Sequence, residues 1–326
     1  YLPLRQCIAA RYSTPETRLN ADNVLVTNGA QQSLTLLAAA LLDTHAPIAV
    51  ANPSYLGALQ VFEARRPTFI AVATDDDGLI MDDLERAFQQ GAKFLYTIPD
   101  FQNPGGMTLP LNRRQRIIEL AHEYDVPILE DIAYRDLWYD NPPPPSLLET
   151  EGRYLGKDRW ADDGLVIQVG TASKTMMPAL RVGWTIAPPG LFDKLAILKQ
   201  ANDLSSSGIN QMLAFELASH HLPDHVQMLR EIYALRRDAM VEALRRHLPN
   251  SVHFSAPSGG MFVWLTLPEG MDARRLLEKA LDQEKLAFVP GAAFHANGGG
   301  DNTLRLSFST CPPDVIEDAM KRLAGL

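Results

Sequence analysis

Lys174 stands in "TASKTMMPALRVGW", Thr171 to Trp184, directly after the apolar run "LVIQV". A lone lysine is ordinarily a solvated surface charge. Here Thr171 and Ser173 add two hydroxyls and Arg181 a guanidinium, a set suited to a phosphate dianion. Pro178 prevents a regular helix from running through the stretch, so the grouping cannot be read as one helix face. Asp131, in "VPILEDIAY", closes another apolar run. A carboxylate at the end of a buried strand is costly without a cation or donors nearby, and a positive partner for Asp131 is therefore expected. Arg305 lies between apolar neighbours in "TLRLSFS". Either an internal ion pair or a carboxylate-bearing ligand would satisfy it.

Residues so far apart in the chain need a framework that brings them together. From about Asn23 to Gln211, short β-branched or apolar runs ("NVLVT", "PIAVAN", "TFIAVAT", "KFLYTIP", "VPILED", "LVIQVG") alternate with helical patterns such as "AQQSLTLLAAALL" and "NRRQRIIELAHEY". That alternation predicts an α/β domain with a mostly parallel sheet. Ligands of such sheets sit outside the carboxyl ends of the strands, so the residues following each run carry the information. After the first run come Gly29, Ala30 and Gln31 and then a helix, whose free N–H groups could cradle a phosphate. The surrounding sequence is neither GxGxxG nor GxxxxGK[ST], which removes support for dinucleotides and nucleoside triphosphates. Tyr55 follows the second run with a ring at the mouth of the sheet. Asn103 lies in the turn-rich "DFQNPGG", and Tyr134 follows Asp131 by three positions.

Past Gln211 the pattern changes to long charged helices, then "GGMFVWLTL", a helix near Ala273 to Gln283, "AFVP", "TLRLSFS" and a closing helix. This predicts a smaller α+β domain. The expected division is an N-terminal segment 1–19, a large domain 20–215 and a small domain 216–326, with the boundary inside a helix. The opening "YLPLRQCIAARY" reads as the middle of an amphipathic helical region, with an N-terminal piece expected before it.

A formal net charge of -9 argues against a surface built for phosphate backbones, and no nucleic-acid binding is expected from these residues. Cys7 and Cys311 form no CxxC pattern and fit a reducing, cytoplasmic compartment. The longest apolar stretch, Leu34 to Leu42, is far below the roughly 20 residues of a membrane span. His220, His221 and His225 flank Pro223, which spoils a fixed metal face, so no metal site is expected.

The order of these features, glycine-helix turn, aromatic, Asn-Pro-Gly, Asp-x-x-Tyr, hydroxyl-flanked lysine with a later arginine, and a late strand arginine, resembles the pyridoxal-phosphate enzymes of fold type I, the aspartate aminotransferase superfamily. Within its class I/II branch the chain is most similar to 2-aminoadipate and kynurenine aminotransferases and to the aminotransferase domains of MocR-type regulators. The resemblance spans nearly the whole chain. It implies a large domain with a mostly parallel seven-stranded sheet flanked by helices, and a smaller α+β C-terminal domain.

By the same resemblance Lys174 corresponds to the lysine that bonds pyridoxal 5'-phosphate covalently as an imine and then moves a proton. Asp131 corresponds to the partner of the pyridinium nitrogen. Asn103 and Tyr134 correspond to donors to the cofactor's phenolic oxygen, and Tyr55 to the ring stacked on the pyridine. Gly29, Ala30, Gln31, Thr171, Ser173 and Arg181 correspond to the phosphate cup, and Arg305, with Asn103, to the site of the substrate α-carboxylate. The implied activity is a ping-pong exchange of the amino group between an L-amino acid and a 2-oxo acid such as 2-oxoglutarate, carried out by a homodimer. Two other readings share these residues: an effector domain of a MocR/GntR-type transcriptional regulator, and a pyridoxal-phosphate lyase or cyclase.

Overall fold

A computed structural model describes all 326 residues. Eight strands form the large sheet: β1 (Val24–Thr27), β2 (Pro47–Asn52), β3 (Thr68–Asp75), β4 (Gly78–Leu79), β5 (Leu95–Thr97), β6 (Ile128–Asp131), β7 (Val166–Thr171) and β8 (Gly183–Ile186). Their spatial order is β1-β8-β7-β6-β5-β2-β3-β4. The pairs β3–β2–β5–β6–β7 run parallel, while β8 is antiparallel to both β7 and β1. Seven strands were expected, and the eighth is the two-residue β4, folded back antiparallel onto the end of β3. The expected runs also omit β8, because "GWTI" is four residues long, opens with glycine and shows no alternation.

Along each parallel strand neighbouring side chains enter opposite faces of the sheet. Ala49 and Ala51 therefore join one buried cluster with α4 (Met81–Gln89) and α5 (Leu111–Tyr124), while Ile48 and Val50 join another with α2 (Ala30–Leu41) and α3 (Leu56–Glu63). A sheet covered on both sides is what nearly continuous apolar strands require. The first cluster also takes Leu4, Ile8 and Ala9 of α1 (Leu2–Tyr12) and Leu147 and Leu148 of α6 (Leu147–Leu155). A short α7 (Trp160–Asp163) leads toward β7, and α8 (Pro189–Asp203) follows β8.

The long charged region divides at Pro223 into α9 (Gly208–His220) and α10 (Leu222–His247), with the proline in the first turn of the second helix, where its missing N–H is not needed. A second, antiparallel sheet has the order β11-β12-β10-β9, from β9 (His253–Phe254), β10 (Phe262–Thr266), β11 (Val289–Pro290) and β12 (Thr303–Ser307). One of its faces, with Val263, Leu265, Leu304 and Leu306, packs on α10, α11 (Ala273–Lys279) and α12 (Pro313–Leu323). The other carries Phe262 and Arg305 toward the large sheet. No helix is long and apolar enough to cross a membrane.

Candidate active site

The parallel strands deliver their following residues to one edge, around a cavity of about 330 Å³ lined by Ala30, Gln31, Tyr55, Asp131, Tyr134, Thr171, Ser173, Lys174 and Arg181. Nine of the twelve residues singled out in the sequence thus line one space. The other three touch it from behind: Gly29 caps α2, Asn103 is buried against Tyr134, and Arg305 reaches Asn103 from β12. A larger cleft of about 640 Å³, lined by Asn52, Asp75, Gly106, His253 and Trp264 among others, contains none of them.

Two acids end β6, and the pleat separates their tasks. Glu130 accepts from the N–H groups of Leu147 and Leu148 at the start of α6 and from Gln168 Nε2 at 2.9 Å, so it is an internal cap. Asp131 turns to the cavity edge and is only 3 % exposed. Its Oδ2 accepts from the Tyr96 hydroxyl at 3.0 Å and its Oδ1 from the Ala133 N–H at 3.1 Å. Both hydrogen-bond donors are neutral; the positive partner expected from the sequence is Lys174, across the same cavity, whose charge favours the ionised carboxyl without a direct hydrogen bond. Burial outweighs these donors and pushes the carboxyl up to about 6. Tyr96 escaped the sequence reading because it sits inside "KFLYTIP". A buried tyrosine must find a partner for its hydroxyl, and that was the available signal.

Lys174 follows β7 by three residues, with its Nζ 5.8 Å from the Tyr134 ring centre. Burial lowers its amine from the ordinary lysine value, and Arg305 and Arg181 act in the same direction against Asp131. Asn103 Nδ2 donates to the Tyr134 hydroxyl at 3.3 Å, which leaves the phenolic proton free to be donated elsewhere. Arg305 Nη1 donates to Asn103 Oδ1 at 2.7 Å. The guanidinium lies 4.1 Å from the Phe262 ring centre and 4.9 Å from that of Phe294. Its Nε is buried without a partner, and no carboxylate of the chain pairs with it. The internal ion pair left open by the sequence is therefore absent.

Gly29 caps α2 at φ +86°, a left-handed conformation, and a Cβ there would come within 2.7 Å of Arg181 Nη2. Gly183 on β8, also missed, leaves room for the same turn: its Cβ would meet the Ala30 nitrogen at 2.7 Å. The first-turn N–H groups of α2, the Arg181 guanidinium and the hydroxyls of Thr171 and Ser173, 3.0 Å apart, thus surround one anion-sized corner. The Gln31 carboxamide is held by Gly57 O at 2.6 Å and the Tyr55 hydroxyl at 3.4 Å, so its backbone is the part left to face an anion.

The cavity thus gathers an anion corner, an acid raised by burial, a lysine lowered by burial and a guanidinium with no carboxylate partner. A family profile for aminotransferase class I and II matches residues 1–323. The chain is 39% identical to the 2-aminoadipate transaminase of Thermus thermophilus, over 99% of this chain and 78% of the relative. It is 38% identical to aromatic-amino-acid aminotransferase 1 of Thermococcus litoralis, over 99% and 77%. The crystal structure of a Thermus thermophilus alpha-aminoadipate aminotransferase complexed with N-(5'-phosphopyridoxyl)-L-leucine superposes with a TM-score of 0.93 at 38% identity, covering 100% of this chain and 80% of that one. HTH-type transcriptional regulators of Bacillus subtilis and Staphylococcus aureus match over a similar span at 30–31% identity. With the profile running from the first residue to within three of the last, the chain belongs to the class I and II aminotransferases.

Proposed function

We propose that the chain is a pyridoxal 5'-phosphate-dependent aminotransferase that moves the amino group of an aromatic, branched or 2-aminoadipate-like L-amino acid to a 2-oxo acid such as 2-oxoglutarate, in two half-reactions at one site. The observation that carries this reading is the set of buried ionisable groups without a direct ion-pair partner around one cavity: Asp131, Lys174 and Arg305. Each lacks what the cofactor or substrate would bring. The greater identity to aminotransferases than to the regulators supports turnover over effector sensing.

Bound in this cavity, pyridoxal phosphate supplies an electron sink for the bond broken at the substrate α-carbon. Asp131 is the group that would keep a proton on the ring nitrogen, and its burial would strengthen that pairing. The α2 N-terminus with Thr171, Ser173 and Arg181 would hold the phosphate, and Tyr55 would pack against the cofactor ring. The Tyr134 hydroxyl and Asn103 carboxamide donate to the phenolic oxygen and favour its anionic form. Lys174, with its amine lowered by burial, would be the covalent anchor and the base for the substrate α-proton. Arg305 receives the substrate α-carboxylate and fixes which α-bond is broken.

The division of labour is between residues 20–215, which hold the cofactor, and 216–326, which supply Arg305. A homodimer is the proposed working unit, in a reducing cytoplasmic setting consistent with the two free cysteines. Its support is an apolar surface beside the site: Ile209, Met212 and Leu213 on one face of α9 are 72%, 53% and 49% exposed. Asn210 bonds this helix to Leu180 O at 2.9 Å, close to the exposed Met177.

The deciding experiment is the visible absorption of the purified, pyridoxal-phosphate-supplemented protein before and after a panel of amino acids. At least one amino acid will convert the band, and 2-oxoglutarate will restore it. A band that shifts without converting would instead favour a lyase or an effector domain. Arg305→Leu will raise KM for that amino acid by roughly 10²-fold with cofactor content unchanged, as loss of a charge-assisted pair predicts. Loss of the cofactor in this variant would show that Arg305 is structural.

A further inference from the structure

Behind the cavity lies a buried ion triad. Asp100 and Arg114 side chains are 0% exposed, and Arg135 is 20% exposed. Arg114, from α5, donates to Asp100 Oδ1, and Arg135 Nη1 donates to Asp100 Oδ2 at 2.7 Å. Other guanidinium N–H groups reach carbonyl oxygens: Arg114 bonds Leu109, Pro145 and Pro99 at 2.8, 3.2 and 3.2 Å, and Arg135 bonds Pro144 at 2.8 Å. The triad thus joins the loop after β5, the start of α5, the loop after β6 and, through the two arginines, the segment leading into α6.

The position of the triad in the chain gives it a consequence for the site. Asp100 stands three residues before Asn103, and Arg135 directly follows Tyr134. Between Asp100 and Asn103 the backbone passes through Phe101 at φ +50°, a left-handed conformation that a bulky residue resists, with its ring 1% exposed. Such a turn persists only where its surroundings over-determine it. A buried ion pair is a weak source of net stability compared with well-packed apolar residues, so its value here is geometric.

We propose that Asp100, gripped by Arg114 and Arg135, is a positioning residue that keeps the Asn103 carboxamide against the Tyr134 hydroxyl and the Arg305 guanidinium. This rests on the proposed reaction, in which Asn103 and Tyr134 donate to the cofactor's phenolic oxygen. With the joint loosened, those donors no longer favour the anionic oxygen, and the pH at which the bound cofactor's visible band changes moves up. A residue needed only for folding has no reason to move that midpoint.

The test is the pH titration of the visible band in wild type, Asp100→Asn, Tyr134→Phe and the double variant, all loaded with pyridoxal phosphate and free of amino acid. In Asp100→Asn the cofactor stays bound and the midpoint rises by about 1 pH unit, the scale of one lost hydrogen bond. Tyr134→Phe shifts it the same way, and the double variant goes no further than the larger single shift. KM for the amino acid also rises in Asp100→Asn, because Asn103 holds Arg305. Should Asp100→Asn not fold, Arg135→Gln, on the less buried arm, carries the same titration. A lowered Tm with a wild-type midpoint, or shifts that simply add, overturns the joint. Absence of any visible band in the wild-type protein overturns the proposed function instead, so the two failures are distinguishable.

Discussion

Lys174→Ala abolishes measurable turnover, a loss of roughly 10⁴-fold or more, because one side chain is asked to be both covalent anchor and base. The residue meets the physical requirements of both tasks. It lines the cavity with Asp131, Tyr55 and Tyr134, and burial lowers its amine, so a larger share is neutral near pH 7 than for a surface lysine. Only the neutral amine can attack a carbonyl or accept a proton. The anion corner and the Tyr96 and Ala133 hydrogen bonds of Asp131 do not depend on this side chain, and the variant will still take up pyridoxal phosphate, more weakly. Borohydride treatment followed by mass measurement separates the roles: the wild-type chain gains the cofactor's mass permanently and Lys174→Ala does not. Fixation of the cofactor in the variant would place the anchor on another lysine. Full activity would remove Lys174 from the chemistry.

The strand-end rule explains why so much of this site was legible. Gly29, Tyr55, Asn103, Asp131 and Lys174 each follow or close an apolar run, and a parallel sheet has only one edge to which such residues can go. Arg305 was half legible: its burial could be read from apolar neighbours, but whether a carboxylate of the chain met it depended on how β12 faces the loop holding Asn103. What stayed hidden was tertiary choice of partner. The sequence offers Glu130 and Asp131 side by side, and only the pleat together with the start of α6 shows that the first caps a helix and the second faces the cavity. The bond from Tyr96 to Asp131 joins positions 35 apart, and the Asp100 triad draws on residues 14 and 35 away. No periodicity reports pairings of that kind. β8 was illegible for another reason: Gly183 is there to let backbones approach, and that use of glycine dilutes the apolar signal of a four-residue strand.

Asp131→Asn moves stability and activity in opposite directions. In the cofactor-free protein the buried carboxyl is pushed up from 3.8 to about 6, so the folded chain binds this proton more tightly than the unfolded chain does. Stability contributed by the group therefore falls as pH rises through the window from 3.8 to about 6, and above it the full penalty of a buried carboxylate remains. About two pH units at about 1.4 kcal/mol each give a penalty of about 3 kcal/mol. An asparagine carries no charge, and its carbonyl oxygen still accepts from the Tyr96 hydroxyl or the Ala133 N–H. Denaturant unfolding of the cofactor-free proteins will show the two alike near pH 4 and the variant more stable by up to about 3 kcal/mol at pH 8, reduced by whatever the new amide donors leave unpaired. Turnover falls by roughly 10²- to 10³-fold, the scale of losing one preorganised electrostatic partner in a closed site. A variant less stable than wild type at pH 8 would make Asp131 a structural acid like Glu130. Unchanged turnover would free the ring nitrogen from any need of it. The predicted pairing of a gain in one assay with a loss in the other is the signature of a carboxylate kept in the core for chemistry.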